Sequence, residues 1–230
     1  MSILALALYG SRAREDNDEN SDVDIFALST EPTYRMIIQS KLNIACYPES
    51  LAMKRAHEGD LFILHITKEG KIIYDTSANF QILKSEFRYK ENYAKEITDA
   101  SELGWMLVNI AKNLSNYTLL NRRIAWCVRT ILIAKSAEQK EPCFSAHDLC
   151  NFSGKSCVYI LIKNKNNDSF DETIIKSFRN FLDIFGTQPT ILAQSPDISA
   201  YQNHFKMTNN IIGLKTTVLL ERDSADDFYL

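Results

Sequence analysis

The alternation of apolar and polar positions changes rhythm near residue 75. Before it, short apolar runs stand between turn residues; beyond it, long stretches keep helical spacing. Ile3 to Tyr9 (ILALALY) is wholly apolar and bounded by Gly10, which predicts a buried strand. In VDIFALS at 23–29, strand alternation puts Asp22, Asp24 and Phe26 on one side and Val23, Ile25 and Ala27 on the other. Two carboxylates therefore share a face. Pro32 suits the first turn of a helix running to about residue 40, and LNIACY at 42–47 reads as a third strand stopped by Pro48. A helix over 49–58 ends at Gly59; GDLFILHITKEGKIIYD then predicts a short buried helix, a turn at Glu69-Gly70 and a strand over 71–75.

Past Asp75, Leu103, Met106, Leu107, Ile110, Leu114 and Tyr117 keep helical spacing over 102–120, and a second helix follows over 121–136. Residues 170–186 begin with Asp171-Glu172 and end at Gly186, a start and stop pair for a further helix. The loop KNKNND separates it from its predecessor, Tyr201 to Leu214 is a helix candidate, and SADDFYL at the end reads as a fraying tail. The natural domain boundary lies between about residues 76 and 97.

Composition narrows the class. At 230 residues, 45% apolar and 24% charged, the chain can bury a core without staples and is neither disordered nor fibrous. A net charge of -3 gives no global positive field for a polynucleotide. The charge is uneven, since residues 1–30 alone carry -4. The apolar start is too short for a signal peptide and no run reaches the length that crosses a bilayer, so a cytoplasmic address is expected. Five cysteines, an odd number, read as reduced thiols. Cys143, His147, Cys150 and Cys157 lie close in sequence but lack the C-x-x-C spacing of structural zinc. A calcium loop from Asp16 fails as well, because its sixth position is Ser21 and its twelfth Ala27.

The candidate chemistry sits in Gly10-Ser11-Arg12-Ala13-Arg14, followed ten residues after Ser11 by Ser21-Asp22-Val23-Asp24. A glycine closing a buried strand permits a tight turn, and a serine with exposed amides after it suits a phosphate. Two aspartates on one strand face offer oxygen ligands that Mg²⁺ bridges to phosphate oxygens. The bland alternatives are a solvated acidic loop over Asp16 to Ser21, a hydrogen-bonded core role for His65, and a wet helix face for Arg122, Arg123 and Arg129 beside Trp126.

GSRAR…SDVDIFAL resembles the G-S-x-A-R-G…S-D-x-D signature of the DNA polymerase beta-like nucleotidyltransferases, particularly the small bacterial ones, and GDLFILHITKEGKIIYD is similar to the segment that closes their catalytic domain. The resemblance covers about the first 75 residues. It implies an α/β nucleotidyltransferase fold with a mixed sheet flanked by helices, placed over residues 1–95; the helical spacing beyond predicts an all-α domain over 96–230, which is expected to bind the acceptor. The resemblance implies Asp22 and Asp24 as catalytic metal ligands for Mg²⁺ or Mn²⁺, and Gly10, Ser11, Arg12, Ser21 and Asn43 around ATP or another NTP. Transfer of AMP to a protein, antibiotic or RNA hydroxyl is the implied activity; a nucleotide-binding or antitoxin-like protein acting on a toxin partner is the alternative, and a homodimer is a further expected assembly. Three departures stand out. Glu15 replaces a glycine, Asn43 occupies the place of a third carboxylate, and only Met1 and Ser2 precede the first strand. Asn43 cannot act as a base. Glu49 is an acceptor-side candidate for that role, with Asp60 or Asp75 as carboxylates that folding could bring in.

Overall fold

The computed structural model describes residues 2–17, 19, 21–189 and 197–222. The SADDFYL tail lies outside the described residues, as do Asp18 and Asn20 of the acidic loop. Two compact units divide the chain between Glu91 and Asn92.

The first unit is a mixed five-stranded sheet with flanking helices. Its elements run β1 (Ile3–Tyr9), α1 (Ser11–Arg14), β2 (Val23–Ser29), β3 (Arg35–Gln39), β4 (Leu42–Pro48), α2 (Glu49–His57), α3 (Leu61–Glu69), β5 (Lys71–Asp75) and α4 (Asn79–Glu86). The strand order is β3-β4-β2-β1-β5, with β2 and β4 parallel and the other neighbours antiparallel. Ala5, Ala7, Phe26, Leu28, Ala45 and Tyr47 from the sheet pack with Ala52, Ala56, Ile63, Ile66, Phe80 and Leu83 from α2, α3 and α4 into one core. Small side chains on β1 let the helices sit close, and burial of the larger ones contributes about 1.5–3 kcal/mol each.

The helix expected from Pro32 to about residue 40 is corrected. Residues 35–39 form the edge strand β3, paired antiparallel with β4 from Arg35↔Cys46 to Gln39↔Leu42. Ser40 takes φ 54 in the two-residue connection, and the ladder offered by β4 outweighs the weak local preference of TYRMIIQ.

The second unit is helical: α5 (Ala94–Ile110), a 3₁₀ turn (Ala111–Asn113), α6 (Tyr117–Glu138), α7 (Ala146–Ser153), α8 (Ser156–Lys163), α9 (Glu172–Phe185), α10 (Ile198–Met207) and α11 (Ile211–Arg222). The helix expected over 102–120 thus starts earlier and stops at Ile110, because Asn116 caps α6 by accepting from the Leu119 N–H and breaks the run. The Tyr201–Leu214 candidate is two helices, parted where Asn209 takes φ 53. Gly104 of α5 faces α9, where a Cβ would come within 2.9 Å of both Leu182 and Phe178. The wet face expected for Arg122, Arg123 and Arg129 is also corrected. Arg123 is only 7% exposed and the other two are half-buried, since α6 packs against α5, α7, α8 and α9 and has little surface left for water.

Candidate functional site

The antiparallel register sets Tyr9, the last residue of β1, opposite Asp24, while the parallel register sets Asn43 of β4 beside Asp24 on the other flank. Tyr9, Asp24 and Asn43 therefore meet at one end of the sheet, on the face that carries Phe26 and Ala45. Asn43 is 2% exposed, and its Nδ2 donates to Asp24 Oδ1 at 3.1 Å. The position resembling a third carboxylate is thus a neutral donor that orients Asp24.

Past Tyr9 the chain turns at Gly10 with φ 75 and ψ -157, and its carbonyl accepts from the N–H groups of Ala13 and Arg14 at 3.1 Å each. A Cβ at Gly10 would sit 2.9 Å from Asp24 Oδ2, so the turn is laid directly across the carboxylate. Ser11 opens α1, which is a single turn of four residues. Arg12 reaches back over the acidic loop: Nη2 donates to the Ser21 carbonyl at 2.8 Å, and Nε is shared between the Ser21 and Asp22 carbonyls at 3.2 Å. Sequence reasoning placed Arg12 with the nucleotide; its guanidinium holds the backbone that carries Asp22. The N–H of Val23 donates to the Lys41 carbonyl at 2.7 Å, and fixes the same backbone from the β3–β4 turn.

Glu15, the residue at the glycine position, has φ 68, a left-handed conformation that glycine takes without strain. Its carboxylate pairs with Lys71 Nζ at 2.6 Å. That hydrogen bond and the lysine's charge hold the Glu15 carboxyl below the usual carboxylate range. The negative charge that Glu15 brings in place of a glycine is therefore matched by a lysine from the start of β5.

Sequence reasoning missed Arg14 and Glu69. Arg14 Nη1 pairs with Glu69 Oε2 at 2.5 Å, and His65 Nε2 meets the same oxygen at 2.7 Å. These side chains are 15–16% exposed. His65 stands edge-on to Tyr9, with ring centroids 5.6 Å apart. The hydrogen bond foreseen for His65 is present, at the margin of the site; the i, i+4 spacing of His65 and Glu69 on a helix was the legible signal.

The further carboxylates lie elsewhere. Glu49 follows β4 at the end opposite Asn43, about 20 Å away at strand rise, so it is no base for this site. Asp60 caps α3 through the N–H groups of Phe62 and Ile63 and pairs with Arg55 at 2.7 Å. Asp75 accepts from the N–H groups of Asn79 and Phe80, both at 2.9 Å. Among the described residues no group of three or more His, Cys, Asp or Glu is placed to hold a metal ion. A carboxylate pair is the kind of donor set Mg²⁺ takes, since that ion keeps waters and fills its shell with substrate phosphates.

Residues 1–79 match the family described as Polymerase beta, Nucleotidyltransferase. The N-terminal unit carries a nucleotidyltransferase domain of that family. Nucleotidyl transfer is the general function the domain supports. Among solved structures, a nucleotidyltransferase-like protein from Exiguobacterium sibiricum 255-15 is similar at 12% identity, over 98% of this chain and 75% of that one, with a TM-score of 0.30. No curated protein matches the chain. Among the described residues no helix is long and apolar enough to cross a membrane.

Proposed function

We propose that the nucleotidyltransferase domain moves a nucleoside monophosphate, AMP from ATP, to a hydroxyl of a protein, small-molecule or RNA acceptor recognised by the helical residues 96–230. Asp22 and Asp24 would hold Mg²⁺ or Mn²⁺; when bound, the cation neutralises phosphate charge and stabilises the oxygens on which charge develops. The Gly10–Ser11 turn orients the polyphosphate, and Arg12 keeps Asp22 in place by gripping its carbonyl. The observation that carries this reading is the turn lying over Asp24, 2.9 Å from where a side chain would begin. On this reading donors to a phosphate and oxygens for a cation would share one spot.

Asn43 supports a second reading. An amide in contact with Asp24 Oδ1 takes no proton from an acceptor hydroxyl, which favours a nucleotide-binding or antitoxin-like protein of weakened activity that acts on a partner. Labelled ATP incubated with the protein, Mg²⁺ or Mn²⁺ and cell extract separates the two. Label transfer that vanishes in Asp22→Ala supports the enzyme. ATP binding without transfer under both metals supports the binding protein, and the absence of binding overturns both.

A further inference from the structure

Between Glu102 and Asp168 the chain carries nine Lys and Arg against three Asp and Glu, a net +6 inside a chain whose total is -3. This segment holds the local positive charge that a polynucleotide needs and that the whole chain lacks. The fold gathers part of it at one end of the helical unit. Asn121, 4% exposed in the second turn of α6, holds the connection that follows α8. Its Nδ2 donates to the carbonyls of Asn167 at 2.9 Å and Ser169 at 3.4 Å, and its Oδ1 accepts from Asn164 Nδ2 at 3.0 Å. Asn167 Oδ1 in turn accepts from the N–H and the hydroxyl of Ser169. The connection is tied down from within, while Lys163, Lys165 and Asn166 are exposed. Tyr159, 42% exposed, precedes Lys163 by one helical turn, and Lys163 Nζ lies 5.9 Å from its ring centroid. The acids that follow are Asp168, Asp171 and Glu172. Asp171 caps α9 by accepting from the Thr173 N–H at 2.7 Å, and Glu172 is met by Lys112 at 3.7 Å and Lys176 at 3.6 Å; Asp168 is exposed.

We propose that Tyr159, Lys163, Lys165 and Asn166 form a surface that binds single-stranded RNA, and that RNA is the acceptor class of this protein. The second half rests on the nucleotidyl-transfer reading above; the first half stands without it. Of the three acceptors in that reading, a polynucleotide is the one that uses both the lysines and the ring. Two lysines on one short turn meet neighbouring phosphates and release their counterions. A base stacks on the face of Tyr159 whatever its sequence, with the Lys163 ammonium close to its phosphate. The Asn166 amide bonds a ribose hydroxyl or a base edge. A connection already ordered by Asn121 loses little entropy on binding. In the transfer, a ribose hydroxyl of the RNA forms a bond to the α-phosphorus of ATP. Pyrophosphate leaves with the electron pair of the broken P–O bond, and the hydroxyl proton passes to solvent.

Fluorescence anisotropy of a labelled single-stranded oligoribonucleotide of about 12 nucleotides, titrated with the full chain at salt from ~50 to ~200 mM, tests the surface without ATP. Lys163→Gln combined with Lys165→Gln should weaken binding about tenfold at the lowest salt and flatten the slope of log affinity on log salt by about 1.4. Tyr159→Ala should weaken it about tenfold with the slope unchanged. Lys84→Gln, on α4 of the other unit, should change nothing. No binding at the lowest salt, equal binding by the wild type and both surface variants, or an equal loss in Lys84→Gln overturns the proposal. Phosphatidylserine vesicles bound where RNA is not would make this a membrane contact and overturn it as well. Labelled ATP with the same oligoribonucleotide and Mg²⁺ then tests the acceptor: label should reach the RNA, less so in the double lysine variant, with ATP binding unchanged. Label that reaches only proteins of a cell extract overturns RNA as the acceptor and leaves the nucleotidyl-transfer reading intact. Absence of ATP binding overturns that reading and RNA as acceptor with it, while the anisotropy result still decides the RNA surface.

Discussion

The α-carbon of Gly10 and the carboxylate of Asp24 are so close that the smallest side chain would touch Oδ2 at 2.9 Å. The register that pairs Tyr9 with Asp24 forces this, since the next residue of β1 has to cross Asp24 as it leaves the sheet. Gly10→Ala adds that clash to a φ of 75. We expect a loss of about 1–3 kcal/mol in folding stability, read from denaturant midpoints, and loss of ATP binding in a thermal-shift titration. Unchanged binding in Gly10→Ala would remove the turn from the site.

Asn43→Asp tests the missing carboxylate. In the buried contact with Asp24 a second acid replaces a donor, so the metal-free protein should lose about 1–3 kcal/mol. Mn²⁺ should raise the melting temperature of Asn43→Asp by more than it raises that of the wild type, because three acids hold the ion better than two. Label transfer from ATP should rise about tenfold or more with the added carboxylate. A variant that gains neither metal response nor transfer would place Asn43 outside the chemistry.

Arg12→Ala releases the carbonyls of Ser21 and Asp22. Loss of a charged donor from partly buried carbonyls costs about 1.5–3 kcal/mol. Metal affinity should fall with it, while a salt series leaves the remaining ATP affinity no more salt-sensitive than in the wild type. A steep new salt dependence would show that Arg12 had been a phosphate contact after all.

Glu15→Gly exchanges a left-handed non-glycine residue for the residue that prefers φ 68. It also removes a negative charge from the mouth of the site. The expected result is ATP bound several-fold more tightly, with thermal stability unchanged or raised; weaker binding would mean that the Lys71 pair organises the turn.

Asp75 links stability to pH. Burial works against its charged form, but the N–H groups of Phe80, Asn79 and Ser77 outweigh it and hold the carboxyl below its ordinary value. An acid depressed in the folded state contributes stability above its unfolded pKa of ~3.9 and loses it as pH falls through the lower folded value. Asp75→Asn should therefore be less stable than the wild type at neutral pH, and the gap should close as pH falls through the lowered folded value. A gap that is constant with pH would assign the effect to shape alone.

The sequence by itself determined the strands β1, β2, β4 and β5 and the helices α2 and α3, because each is encoded within a few residues: an unbroken apolar run before Gly10, alternation from Asp22, Pro48 and Gly59 as stops. Strand β3 was not legible, since TYRMIIQ becomes a strand only through the ladder that β4 offers from another part of the chain. Only the tertiary structure decided which groups surround Asp24. Sheet order and register bring Gly10 and Asn43 to it from 14 and 19 residues away, and the Arg14–Glu69 pair spans 55 residues. It also sent Arg12 to a backbone duty and Glu49 to the opposite end of the sheet. Local spacing says which side chains share a face; it carries no information on which strand lies next door, and that neighbour fixes what each carboxylate meets.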